Sequence, residues 1–144
     1  MAEPQNFSNH SKMVPLFHRG LFLLIFIVLV WSVRQLVTAF SLASAVQVVS
    51  AVALFLTAFF ARVFAVKAQD RVIRAEERER MNRVLPDDLK GRLSELRLPQ
   101  FVALRFASDG ELADLVRRTL AGEFAKPTDI KRAVKNWRAD DERV

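Results

Sequence analysis

The chain has no cysteine and no tyrosine, and its 144 residues include two histidines, four glycines and five prolines. Without cysteine there are no disulfides, thiolate zinc sites, iron–sulfur clusters or covalently attached c-type haem. The two histidines, His10 and His18, both precede residue 20. A protein-only transition-metal site would need carboxylate help, and no ligand motif supplies it. Walker, GxGxxG, HExxH and nucleophile-elbow signatures are also missing. No catalytic, metal or cofactor-binding residue is therefore assigned, and the chain reads as a non-enzyme.

Charge is missing from one long stretch. Gly20 to Ala61 runs 42 residues with a single formal charge, Arg34. A transmembrane helix needs roughly 20 mostly apolar residues, so this stretch suits two crossings better than one. The first apolar body, Leu21–Val33, follows Lys12 and Arg19 as a signal peptide would. No small-x-small cleavage site follows Val33, and an uncleaved anchor is the expectation.

The spacing predicts a first helix over 14–37, a turn over 38–45 and a second helix over 46–66. Trp31 suits an interfacial belt, and Arg34 an anchor beside the turn. In the second helix Ala53, Thr57, Ala61 and Ala65 recur every four residues. Small residues let helices approach closely in lipid, so this stripe is expected to receive the first helix or another subunit. Lys12 and Arg19 precede the apolar stretch, and Arg62, Lys67, Arg71 and Arg74 follow it. The positive-inside rule then puts both termini in the cytoplasm.

Neither Gly nor Pro occurs between Ala51 and Leu85. The second helix should therefore continue past its apolar part as a rod of about 35 residues, roughly 50 Å long, ending at Pro86. Asp70–Arg74, Glu76–Arg80 and Glu79–Arg83 have the spacing of supporting i,i+4 ion pairs. Residues 62–144 hold 19 Lys/Arg and 15 Asp/Glu, a modest basic excess.

Four further helices are expected after Pro86. The first carries Leu89, Leu93 and Leu96, and the second starts at Pro99. A Ser108–Glu111 capping box opens the third. The fourth starts near Pro127 with Ile130, Ala133, Val134 and Trp137 on one face. The fold class is thus all-α: a transmembrane helical hairpin, its second helix extended into the cytoplasm, and a small C-terminal helical cap. The divisions are a tail at 1–13, the hairpin at 14–66, a juxtamembrane extension at 67–85 and the cap at 86–144.

Four blocks carry a family resemblance: QNFSNHSKMVPLFH at 5–18, KAQDRVIRAEERER at 67–80, LRFASDGEL at 104–112 and IKRAVKNWRADDERV at 130–144. With these the chain resembles a bacterial family of short two-span membrane proteins, a domain-of-unknown-function family. The resemblance implies a two-span topology and a cytoplasmic helical region, and no activity. The segment LRFASDGELADLV is also faintly similar to the helix-turn-helix of sigma-type factors. However, Asp109, Glu111 and Asp114 near the start of its second helix would repel phosphate.

The expected role is an accessory or scaffold subunit of a membrane assembly, presenting a cytoplasmic helical interaction module. A membrane-tethered nucleic-acid-binding module is the alternative. Expected partners are membrane lipids and another membrane protein or a second copy, with nucleic acid unlikely. Candidates for partner or lipid contact are His18, Arg62, Lys67, Arg71, Arg74, Arg78, Lys135, Trp137 and Arg138. Gln69, Asp70 and Arg105 are candidates for a polar link between rod and cap. The polar–aromatic tail, with Asn6, Phe7, Asn9 and His10, should tuck against a surface.

Overall fold

Every regular element is helical apart from one isolated β-bridge in the computed structural model, which describes residues 5–9 and 13–140. His10 and Lys12 lie outside the described residues, as do residues 1–4 and 141–144. The described chain forms two compact units. One is the hairpin, Met13–Ala65; the other joins tail residues 5–9 to the chain from Val66 onward.

In the hairpin, a π-helical turn, Leu16–Leu21, runs into α1 (Phe22–Thr38). After a three-residue break α2 begins at Leu42 and continues without interruption to Val84. Leu16–Thr38 and α2 each contain an 18-residue stretch apolar enough to cross a membrane, with mean hydropathies of 2.2 and 2.1 over those stretches. Large apolar side chains such as Leu24, Phe26, Trp31, Leu54 and Phe64 stand exposed around them.

The turn is tighter than its composition predicts. It occupies residues 39–41, not 38–45, and the second helix starts at Leu42, not at Val46. Two serines account for this. The Ser41 N–H donates to Ser44 Oγ at 2.9 Å, and the Ser44 N–H to Ser41 Oγ at 3.1 Å. This reciprocal pair satisfies N–H groups that the first turn of a helix leaves without partners. Serine replaces the usual Glu or Gln of a capping box, which hid the start.

Helix packing also departs from expectation. The side chains buried in the hairpin are Ile25 and Ser32 on α1 and Ser44, Ala51 and Ala58 on α2. On each helix they are seven residues apart. Ala53, Thr57, Ala61 and Ala65, the predicted packing stripe, are exposed. The reason is geometric. A four-residue step drifts about 40° around a helix of 3.6 residues per turn, whereas seven residues drift only about 20°. The seven-residue set therefore keeps facing its neighbour. An apolar groove of about 440 Å³ lies beside the contact, lined by Leu21, Leu24 and Val28 of the first helical run and Leu54, Thr57 and Ala61 of α2.

In the second unit, Pro86 follows α2 and precedes α3 (Asp87–Lys90), then a 3-10 turn at Leu93–Glu95. Next come α4 (Leu98–Leu104), α5 (Asp109–Leu120) and α6 (Pro127–Ala133). The first expected cap helix is thus broken at Gly91, yet Leu89, Leu93 and Leu96 are all buried. They share one core with Met81 and Leu85 at the end of α2 and with Phe101, Leu104, Leu112, Leu115, Val116, Ile130 and Val134.

The last three helices begin by the same device. A side chain at the third helical position accepts the N–H of the residue before the helix. Gln100 takes Arg97 N–H at 2.7 Å, Glu111 takes Ser108 N–H at 3.4 Å, and Asp129 takes Lys126 N–H at 3.1 Å. Pro99 and Pro127 occupy first-turn positions, where a missing N–H costs nothing. The fourth expected helix ends at Ala133, so Trp137 is not on its face. Trp137 instead reaches the core from an extended segment bridged to Ala107.

Candidate interaction site

The apolar core leaves polar side chains of α2 facing the cap. Glu77 and Arg80 are only 5 % and 7 % exposed. Burying a charge is costly unless it is paired and hydrogen-bonded, and here both are. Arg80 Nη1 meets Glu77 at 2.9 Å, and its Nη2 donates to the Ala107 carbonyl at 2.7 Å. Its Nε donates at 2.8 Å to Asp109 in the first turn of α5. That carboxylate also lies at the positive end of the helix dipole. Glu77 takes a second cation, Arg138, at 2.8 Å.

The same corner holds the extended segment after α6. Glu111 serves two purposes, since its carboxylate also accepts the N–H groups of Lys135 and Asn136, both at 3.0 Å. The Ser108 N–H donates to the Asn136 carbonyl at 3.1 Å, and the Arg138 N–H to the Phe106 carbonyl at 2.8 Å. Trp137 packs on Phe106 with ring centres 4.8 Å apart. Arg105 pairs with Asp140 at 2.7 Å and lies over the Phe106 ring.

The described tail residues end on this segment. Gln5 uses both ends of its amide on the Asp140 backbone, accepting the N–H at 2.9 Å and donating to the carbonyl at 3.4 Å. Phe7 lies under the Arg132 guanidinium at 5.2 Å. Asn6 accepts the Ser8 N–H at 2.8 Å, the geometry of an Asx turn. The tail tucks against the cap.

A mixed-charge groove of about 610 Å³ remains between α2 and the extended segment, lined among others by Gln69, Ile73, Glu76, Arg83 and Asp140. Arg83, Ser108, Asp109 and Arg138 line an adjoining hollow of about 480 Å³. Among the described residues no three His, Asp or Glu side chains converge as metal ligands.

Gln69 shares the groove with Asp140, Asp70 is half-buried, and Arg105 pairs with Asp140. The α2–cap ion pairs run through Glu77 and Arg80, which sequence reasoning missed. Their signal was spacing: 73, 77, 80 and 81 share the helix face that continues to Leu85, so the charges fall among core positions. Of the three expected i,i+4 pairs, Glu79–Arg83 forms at 3.6 Å, while Arg80 turns to Glu77.

The other predicted contact residues lie apart from this corner, except Lys135, Trp137 and Arg138. Lys67, Arg71, Arg74 and Arg78 are exposed along α2, with Arg74 5.8 Å from the buried Phe101 ring. Arg62 is half-buried. His18 turns back on its own helix, with Nδ1 3.0 Å from the Val14 carbonyl, and meets Phe17 edge-on. Arg34 lies over Trp31 at 5.6 Å.

Exposed pairs pin the cap's periphery. The Lys90 ammonium beside Asp87, the Arg92 guanidinium beside Glu95 and the Arg118 guanidinium beside Glu123 hold these carboxyls below the usual carboxylate range by hydrogen bonding to the charged form.

A model of the family of unknown function DUF6526 matches residues 1–144, and the chain belongs to that family. No curated protein and no solved structure matches it.

Proposed function

We propose that the chain is an integral membrane protein whose two apolar helices cross the bilayer, and that it acts by binding and not by catalysis. In this reading it is an accessory or scaffold subunit of a bacterial cytoplasmic membrane assembly. The cap and the second half of α2 form its cytoplasmic interaction module. One observation carries the membrane reading. Only 11 % of each apolar window is buried, although each is long enough to span. Water would strongly disfavour so much exposed apolar surface, whereas lipid would solvate it.

The docked tail supports an even number of crossings, because residues before and after the hairpin share one unit. The basic residues from Arg62 to Arg78 support a cytoplasmic location for that unit.

Alkaline carbonate extraction tests the membrane reading, and recovery in the soluble fraction would refute it. Thiol labelling of single cysteines introduced at Phe40 and at Lys126 tests topology: a periplasm-restricted reagent should label the first and spare the second. Mild-detergent purification under native conditions tests the subunit role, and a lone monomer with only bulk lipid would count against it. Salt-sensitive binding of duplex DNA would instead favour a nucleic-acid module.

A further inference from the structure

Ion pairing divides sharply along the cap-bearing unit. From residue 80 onward most arginines have an acidic partner: Arg80, Arg83, Arg92, Arg105, Arg117, Arg118, Arg132 and Arg138 all do. Among the described residues Lys67, Arg71, Arg74 and Arg78 have none, although acids are within reach on the same helix. Asp70 stands four residues before Arg74, yet that guanidinium is over the Phe101 ring. The four positions advance by four, three and four residues, so they form one straight, exposed stripe on α2. Arg71 to Arg78 covers roughly 10 Å of axis at 1.5 Å per residue.

We propose that the face carrying Arg71, Arg74 and Arg78 docks an acidic helix of a partner protein, with carboxylates at i, i+3 and i+7. Such a helix running alongside α2 offers one carboxylate to each guanidinium, and charge complementarity of this kind sets register and orientation. Anionic headgroups are the other chemistry that a basic stripe attracts. Excluding them rests on the membrane reading above. α2 is one helix from Leu42 to Val84, so the stripe follows the apolar stretch along the same helix. The headgroup layer adds only about 5–8 Å to each side of the hydrocarbon, enough for Arg62 and Lys67. By rise alone Arg71 lies about 15 Å past Ala61 and Arg78 about 25 Å, while surface charges act over roughly 8 Å at physiological salt. Glu76 stands on the far side of the same helix and Glu79 on its flank, which suits a neighbour on one face better than a nucleic acid wrapping the rod.

The test uses the full chain in nanodiscs of neutral phosphatidylcholine. The probes are a labelled alanine-based helical peptide with Glu at i, i+3 and i+7, and a peptide of equal composition with its Glu residues scattered around the helix. The matched peptide should bind in a salt-sensitive way, and the scattered one at least about tenfold more weakly. Arg71→Glu/Arg74→Glu/Arg78→Glu should abolish binding, and the corresponding Gln variant should weaken it about tenfold or more. Reversal of Arg97 and Lys126, exposed cations elsewhere, should leave it unchanged. Trp137 fluorescence in a Trp31→Phe background reports whether each variant keeps its cap folded.

Equal binding of the two peptides, or binding that survives the reversal, would overturn the proposal. So would displacement of the matched peptide by equimolar duplex DNA, which would assign the stripe to nucleic acid. Loss of peptide binding in nanodiscs containing phosphatidylglycerol would assign it to lipid. Failure of the protein to float with liposomes would overturn the membrane reading alone; register-dependent, reversal-sensitive peptide binding would still support the docking face.

Discussion

The replacement Arg80→Met is the sharpest test of how the cap is held to α2. It removes a guanidinium that is 7 % exposed and spans Glu77, Asp109 and the Ala107 carbonyl. Breaking a buried ion pair by deleting one partner typically costs about 3–5 kcal/mol, mostly because the other charge is stranded. Two features of the site reduce that cost. Glu77 keeps Arg138 at 2.8 Å, and the Asp109 side chain is 64 % exposed and can rehydrate. The carbonyl of Ala107 loses one donor, worth about 1 kcal/mol. The expected destabilisation is therefore near the low end, about 3 kcal/mol, or on the order of 15 °C in Tm for a unit of this size. The measurement is thermal or urea unfolding in nanodiscs followed by Trp137, in a Trp31→Phe background so that only the cap reports. The paired change Glu77→Leu/Arg80→Met leaves no stranded carboxylate on α2 and should recover about half of the loss. A loss below about 1 kcal/mol for Arg80→Met, or a double variant less stable than the single one, would refute the argument.

Three further predictions follow from the same contacts. Glu111→Ala should destabilise the cap by about 2 kcal/mol, since it strips an acceptor from the Ser108, Lys135 and Asn136 N–H groups; Glu111→Gln should retain part of that, and faster amide exchange at 135 and 136 is the direct readout. Ala51→Leu or Ala58→Leu should overpack the hairpin by about 1–3 kcal/mol, whereas Ala53→Leu should be nearly neutral; disulfide trapping between cysteines placed on α1 and α2 would compare them. Because Asp87, Glu95 and Glu123 have folded-state pKa values below their unfolded ones, the stabilisation they give is complete above the unfolded value and is lost as pH falls through the folded value; cap stability should be level down to about pH 5 and decline below about pH 4, and a flat profile to pH 2 would contradict this.

What could be read from residues alone followed the strength of each local signal. The hairpin and the long helix were legible because neither Gly nor Pro occurs between Leu21 and Leu85, the apolar stretch is long enough for two crossings, and hydropathy falls only near Arg62. The capping box at Ser108 and the helix starts at Pro99 and Pro127 were legible for the same local reason. The packing stripe was not, because small residues occur on more than one face of α2 and only the partner's position selects Ser44, Ala51 and Ala58. The Glu77–Arg80–Asp109 link was hidden because its members lie up to 32 residues apart and each looks like an ordinary surface charge. Trp137 fitted a helical period by spacing, but the backbone leaves the helix at Val134 to let the Ala107 bridge form.

The bond between Gln5 and Asp140 joins positions 135 residues apart, with the hairpin inserted between them in the chain. Contacts of such high order form late, because a long loop must close first. A ribosome would therefore have delivered the whole hairpin before the tail could find its seat. The tail's seat at Asp140 exists only after the cap has been synthesised.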